Sequence, residues 1–545
     1  MIMKRKPLWA TAAAMAALTL AACGGGGNSE GDVPTLNRGI SAKVDTLDPH
    51  RSSAQWENII IGDMIIGLTT HAQDGTPVNG MAESWTVSED GTLWTFTLGD
   101  HVWSDGMPVT AQDFEYAFRR IQDPELASQY SSLLYLIKNA REVNFGEAAP
   151  ETLGVRAIDD KTLEIELVGP APYLPGLLTH YTTYPVPKHV VEEHGVDWIK
   201  PENIVTNGPY KLVFWQTGQP IVSEHNPTGF AADDVCFERI VYHEIETAST
   251  YEAMLEAGTM DINNNFDLNR RDEIEKRFPG WTKTTPALIT TYWSFNQLEA
   301  PFDDVRVRKA IAMTLDRDFI TDKVLPGYVP AYALVPPGMD NYDVPRPQAA
   351  WAEWPVEQRL EEARNLLTEA GYGPDNPLEF DFIYRSTSGN DKPPPVALEN
   401  WKAIADWVNP TVEKQDTKAL YARLRTKDFI MSDAAWAAEY DDPQNFLYLL
   451  DSETGQQNYG SYNNAEFDRL LAEASKELDL KKRAELLAEA ETIMLDEMPV
   501  APMSFQVTIN MLNPELTGYT DNAVDQHRSR FMCKPGLSPV GSAEE

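Results

Sequence analysis

The spacing of apolar residues changes along the chain, and each change predicts an element. In Trp94-Thr95-Phe96-Thr97-Leu98 every second residue is apolar, just after the turn signal Asp90-Gly91, which predicts a half-buried strand. Leu163-Glu164-Ile165-Glu166-Leu167 repeats the pattern after Asp159-Asp160. From Val305 to Val324 the period is helical. Ala310, Ile311, Thr314 and Leu315 share a face, with Asp303 and Asp304 as caps. Asn464 to Leu478 sets Phe467, Leu470, Leu471 and Ala474 on one side, and Asp479 to Glu497 does the same with Ala484, Leu487, Ala490 and Met494. Strands scattered among helices predict α/β or mixed α+β lobes. The 545 residues exceed a single core, and about 100–200 residues per domain predicts two to four. No fixed-period repeat and no Pro/Gly linker after residue 32 divides them.

The N-terminus bears on compartment. Lys4, Arg5 and Lys6 precede an apolar run from Leu8 to Ala22, which fits a secretory h-region and is short for a spanning helix. The run ends in Leu20-Ala21-Ala22-Cys23, which resembles the bacterial lipobox, where cleavage before Cys exposes a thiol that carries diacylglycerol. Residues 1–22 are thus expected to be a signal peptide, Cys23 the lipidation site, and 23–32 a flexible tether. The formal charge of −38 lacks the basic stripe that a phosphate backbone requires, which excludes nucleic acid as a partner.

The search for chemistry is mostly negative. The chain has no phosphate-binding Gly loop, no nucleophile elbow, no His-Glu-x-x-His and no Cys-x-x-Cys, so no catalytic residue, metal ligand or cofactor is expected. His189 and His194 lie five apart, off one helical face. Asp159-Asp160, Asp233-Asp234 and Asp303-Asp304 could suggest paired-carboxylate glycosidase chemistry, but each sits among turn or cap signals. Cys236 and Cys533 are either one bridge or two buried thiols. One cluster is less easily set aside. In Trp436-Ala437-Ala438-Glu439-Tyr440-Asp441-Asp442-Pro443, Asp442 and Pro443 read as helix cap and first helical residue. Glu439 and Asp441 are then either solvated loop residues or part of an acidic, aromatic-walled pocket for a cation.

From Thr46-Leu47-Asp48-Pro49-His50 onward the chain resembles the oligopeptide-binding branch of the family 5 solute-binding proteins of bacterial ABC transporters. The resemblance runs in order through Gly80-Met81-Ala82-Glu83-Ser84-Trp85, Trp103-Ser104-Asp105-Gly106, Thr206-Asn207-Gly208-Pro209-Tyr210 and Pro301-Phe302-Asp303-Asp304-Val305-Arg306 to the loop Trp436–Pro443. It implies a two-lobed periplasmic binding protein fold, the Venus flytrap, with an additional domain. Lobe I would combine 33–65, 180–284 and 498–545. The additional domain would be 66–179, and lobe II 285–497, with hinge strands near 285 and 498. It also implies a lipid-anchored, monomeric periplasmic protein and not an enzyme. Such a protein traps a peptide by hinge closure and hands it to permease subunits powered by separate ATPase subunits.

In that family an acidic residue in the loop pairs with the peptide ammonium, a role that falls to Glu439; because Glu is longer than the family's Asp, either the ammonium sits slightly farther from the backbone or Asp441 shares the role. Trp436, Tyr440 and Tyr130 would wall the pocket, and the Ser53 segment would line the cleft. The chain also departs from the family. Basic and aromatic residues expected toward the ligand's far end are replaced by Asp433, Leu424 and Thr417. A family His becomes Asn390 or Asp391, and a loop Cys becomes Ala437. Groups that would receive a carboxylate are therefore absent or moved, with Arg423 and Arg425 nearby. Other cargo (a dipeptide, murein peptide, peptide-like antibiotic, opine or sugar) is the alternative within the family. A secreted hydrolase is the alternative from another class, and turnover would distinguish it. The resemblance places Cys236 and Cys533 in one lobe, which implies a disulfide.

Mass spectrometry of the N-terminal peptide of the mature protein should show acylated Cys23, and Cys23→Ser should yield soluble protein or uncleaved precursor. An unmodified wild-type N-terminus refutes the lipobox.

Overall fold

Two long strands, Thr282–Phe295 and Val500–Leu512, pair antiparallel at the centre of the molecule. This is a computed structural model describing residues 33–542, apart from 41, 246, 265–269, 340, 387, 388 and 439. Cys23 and Glu439 therefore lie outside the described residues. The long pair belongs to one mixed sheet of eleven described strands. On one side the order runs through Met431–Ala437 and Leu378–Arg385 to Val408–Gln415. On the other it runs through Ile262–Asn264, Thr35–Ile40, Arg239–Glu244 and Ile221–His225 to Tyr210–Phe214. The fold is thus the mixed α/β class expected from the sequence.

Each side of this sheet has its own core. One core draws on residues from Leu288 to Met503 and centres on Trp401, which meets Trp293, Phe380 and Phe382 at ring distances of 5.3–5.6 Å. The other is assembled from distant segments, including Leu36–Ile65, Tyr181–Ile262 and Leu512–Met532. Buried polar bonds tie these segments together. Arg38 donates to Ser529 at 2.9 Å, while Ser529 and Tyr242 both donate to Asp63, at 2.6 and 2.8 Å.

A third core, from Ile66 to Leu178, belongs to a separate four-stranded antiparallel sheet. Its strand Leu93–Leu98 buries Trp94, Phe96 and Leu98, the apolar half of the alternation. Thr162–Glu166 pairs beside it. Helix Ala111–Ile121 covers the sheet with Phe114, Phe118 and Ile121, and a Thr110/Asp113 capping box starts the helix.

The predicted helix from Val305 to Val324 is corrected to three pieces: Val305–Met313, a turn at Arg317–Phe319 and a wider turn at Ile320–Val324. Arg317 explains the break. Its fully buried guanidinium donates to the carbonyls of Ala312, Ala331 and Pro502 at 2.8–2.9 Å, and a continuous helix would not aim it there. Asp316 caps the new turn by accepting the Phe319 N–H at 3.0 Å. Of the expected caps Asp303 and Asp304, only Asp304 accepts a first-turn N–H, that of Arg306 at 2.8 Å. The later helices run Ala465–Ala474 and Leu480–Glu497, capped by Asn464 and Asp479.

Cys236 and Cys533 are bonded, with Cα atoms 5.3 Å apart and 297 positions between them in sequence. Closing so long a loop restricts the unfolded chain and stabilises the fold by about 4–5 kcal/mol in the chain-entropy account. Cys236→Ser/Cys533→Ser should lower the denaturant midpoint accordingly, and reductant should then have no further effect. An unchanged midpoint would show that the bond contributes nothing.

Candidate ligand cleft at the strand crossing

The long strands change partners halfway along. Thr282–Pro286 pair with Met511–Val507, next to Ile262–Asn264 on the far edge. Thr290–Ser294 pair with Phe505–Val500, next to Met431–Ala437. Between these stretches the register slips, so Ala287, Leu288 and Ile289 stand opposite Gln506 alone. Pro286, without an N–H, precedes the bulge. Leu288 bonds to both sides: its N–H donates to Ala523 O at 3.3 Å, and its carbonyl accepts from Ala438 N–H at 2.8 Å.

A cavity of about 370 Å³ opens at this bulge. Ala437, Ala438, Tyr440 and Asp441 form one wall, and Ser53, Gln55, Asn58 and the segment 523–526 face them. Tyr130, His180, Tyr181 and His71 close the end. Of the residues expected from sequence, Ser53, Tyr130, Tyr440 and Asp441 are thus brought together. Trp436 is not. Along Met431–Ala437 side chains alternate between faces. Ala437 and its partner Ile289 face the cavity, while Trp436, opposite Thr290, points the other way. There its indole donates to Asn445 at 2.7 Å and meets the Tyr448 ring at 5.9 Å.

The loop after this strand is held by charge and ring contacts. Asp442 is fully buried and accepts both terminal nitrogens of Arg483, at 2.6 and 2.7 Å, as well as the Gln444 N–H at 3.0 Å. Tyr440 stacks on Tyr173 with centroids 4.6 Å apart and planes at 9°, and Arg483 lies 5.8 Å from the Tyr173 ring. Burial raises the phenol pKa of Tyr440 well above its ordinary value, so the ring stays neutral.

The far-end departures have a structural counterpart. Asp433 is buried and paired with Arg385, at 2.6 and 3.1 Å, and Arg385 also donates to Asn390 at 3.2 Å. Arg423 donates to Asp428 at the surface, and Leu424 is buried in its helix. No Lys or Arg lines the cavity among the described residues. Burial, reinforced by the nearby Arg528, lowers the His71 pKa to about 3 and that of His180 to about 4, which leaves both imidazoles neutral at neutral pH.

Sequence reasoning missed His71, His180 and the segment Ala523–Gln526. That segment has no hydrophobic period, and only its contacts with Leu288, Gln55 and Asn58 place it in the cleft.

Two α/β halves that share crossing strands over a cavity of mixed apolar and polar lining define a bilobal solute-binding protein. Residues 76–458 match the model for bacterial extracellular solute-binding proteins, family 5 Middle, and the chain belongs to this family. It is 36% identical over 494 residues to the periplasmic oligopeptide-binding protein OppA of Salmonella typhimurium, covering 90% of each chain. The murein tripeptide-binding protein MppA in its unliganded open form superposes with a TM-score of 0.87 at 33% identity, over 92% of this chain and 98% of that one. Haemophilus influenzae OppA in complex with RPPGFSPFR gives 0.70 at 32% identity, over 92% and 99%. The family and these relatives are binding proteins, and the named relatives are periplasmic.

Asp442→Asn should leave Arg483 buried without its counter-ion and lower stability by about 3–5 kcal/mol. Denaturant unfolding measures this, and a loss below about 1 kcal/mol would show that solvent takes over the pairing.

Proposed function

We propose that the protein captures peptides in this cleft by closure of its two halves and delivers them to the permease of an ABC importer with separate ATPase subunits. The observation that carries the reading is the position of the cavity at the strand crossing. A rotation about the bulge Ala287–Ile289 moves the Asp441 wall toward the Gln55 wall without breaking either core. The two superpositions support it. Coverage and identity are nearly equal, yet the open form fits far better than the peptide complex. The better fit to the open form supports reading the present arrangement as an open state. Ligand touching both walls shifts the population toward closure.

The lobes we assign are 33–65 with 180–284 and 498–545, then 285–497, with 66–179 as the additional domain. The three cores support this division in outline, although Met498, Val500, Ala501 and Met503 pack in the core of the 285–497 lobe and Ala117 in that of the first lobe. A peptide lies extended against backbone groups of the cleft, which gives affinity without strict side-chain reading. Its ammonium is received by Glu439 with Asp441, and the rings of Tyr130 and Tyr440 flank it. A lipid on Cys23 holds the protein to the membrane through the 23–32 tether, and it works in the periplasm as a monomer.

Calorimetry with tetra-alanine, its N-acetyl form and Glu439→Gln tests the reading. Removing one partner of a desolvated ion pair costs about 3–5 kcal/mol, roughly a hundred- to several-thousand-fold in affinity. Acetylation and the variant should each cause this loss, and their effects should not add, because both delete one pair. The radius of gyration in small-angle scattering should fall on peptide addition. Tolerated acetylation would remove the ammonium role from this loop, and an unchanged scattering profile at saturation would remove closure.

A further inference from the structure

We propose that Tyr173 is a positioning residue for the ligand loop: it does not line the cavity, yet through Tyr440 it fixes the acidic residues Glu439 and Asp441 on either side of that tyrosine in sequence. This rests on the peptide reading above. The chain passes from one core to another at this loop. Ala438 packs with the core that runs from Leu288 to Met503, whereas Tyr440 packs against the third core, from Ile66 to Leu178. Its partner there is Tyr173, whose ring lies 4.6 Å away and 9° from parallel. Tyr440 lines the cavity and Tyr173 does not.

Tyr173 is itself well anchored. Ala171, Leu174 and Leu177 around it are buried in the third core, and its carbonyl accepts the Leu177 N–H at 3.1 Å to start the turn Leu174–Leu177. That core is tied in turn to the segments that form the cleft wall opposite the loop. Arg120 donates to both oxygens of Asp48, at 2.9 and 2.5 Å, and the Asn207 side chain bonds the N–H and carbonyl of Ile66, at 2.9 and 3.0 Å. The Tyr173 ring thus stands fixed relative to that wall and reaches across to the loop.

On the loop side the same ring meets both ends of a tight turn. It stacks on Tyr440, and the Arg483 guanidinium that holds Asp442 lies 5.8 Å from its centroid, within cation–π range. The Asp442 N–H closes the turn by donating to the Tyr440 carbonyl at 3.0 Å. Leu478 adds a contact at the same junction: a Cβ built on Gly91 would come 3.3 Å from its Cδ2. The turn that carries Asp441 is therefore braced from another core as well as from its own. A loop ordered before the ligand arrives loses little conformational entropy on binding, and its carboxylates already stand where an ammonium needs them. Without the Tyr173 ring, Tyr440 loses its stacking partner and part of that ordering falls to the ligand.

The experiment uses Tyr173→Leu, which keeps an apolar side chain but no ring, and Tyr173→Phe, which keeps the ring; a thermal melt checks the fold of each. Calorimetry measures the preference for tetra-alanine over its N-acetyl form. Tyr173→Leu should reduce that preference about three- to ten-fold, the factor a stacked aromatic pair is worth, and Tyr173→Phe should retain it. In a Tyr440→Leu background, Tyr173→Leu should have no further effect, because Tyr173 acts through Tyr440. Hydrogen exchange of the ligand-free protein gives a second readout: the Asp442 amide should exchange faster in Tyr173→Leu than in the wild type and Tyr173→Phe. An unchanged preference in Tyr173→Leu overturns the proposal, as does a Phe variant that loses as much as the Leu variant, or a loss that persists in the Tyr440→Leu background. A wild type that does not distinguish the two peptides refutes the ammonium role proposed above, and the exchange rates then decide the positioning by themselves, with unchanged rates overturning it.

Discussion

The shared antiparallel pair Thr282–Phe295 and Val500–Leu512 is the constraint on which the rest of the structure depends. The strands on one side of the main sheet are joined to those on the other only through these two. Because backbone donors and acceptors must be paired, the pair can join two lobes only if the ladder resumes on each side of the place where it yields most. That point is Ala287–Ile289, where three residues face one and Leu288 bonds to both Ala523 and Ala438. The cavity sits there, at the longest interruption of the pairing between the two strands.

Electrostatics then fixes the charged groups around the cleft. Asp442 with Arg483 and Asp433 with Arg385 are buried and bonded at two points each. Such pairs hold loops in place, and they remove from the cleft the charges that the sequence near the ligand loop would otherwise supply. Asp441 and Asp525 line the cavity together with His71 and His180, whose imidazoles burial keeps neutral. Among the described residues, charge at the cleft surface therefore has one sign, although buried arginines stand behind one wall.

The sequence by itself determined the elements whose pattern is local. Alternation in Trp94–Leu98 and Leu163–Leu167 marks strands, and the spacing of Phe467, Leu470, Leu471 and Ala474 marks a helix. In each case the periodicity is imposed by one buried face. The loop after Trp436 was legible as a candidate site because carboxylates and aromatics crowd a strand end there. Only the tertiary structure decided that Trp436 faces away, since its face depends on the register against Thr290 and Ile289. Tertiary structure also decided that the helix after Asp304 breaks to bury Arg317, and that residues 523–526 belong to the cleft. These features rest on contacts between segments up to several hundred residues apart, as Arg317 with Pro502 and Gln55 with Asp525 show. A pattern read along the chain carries no information about such contacts.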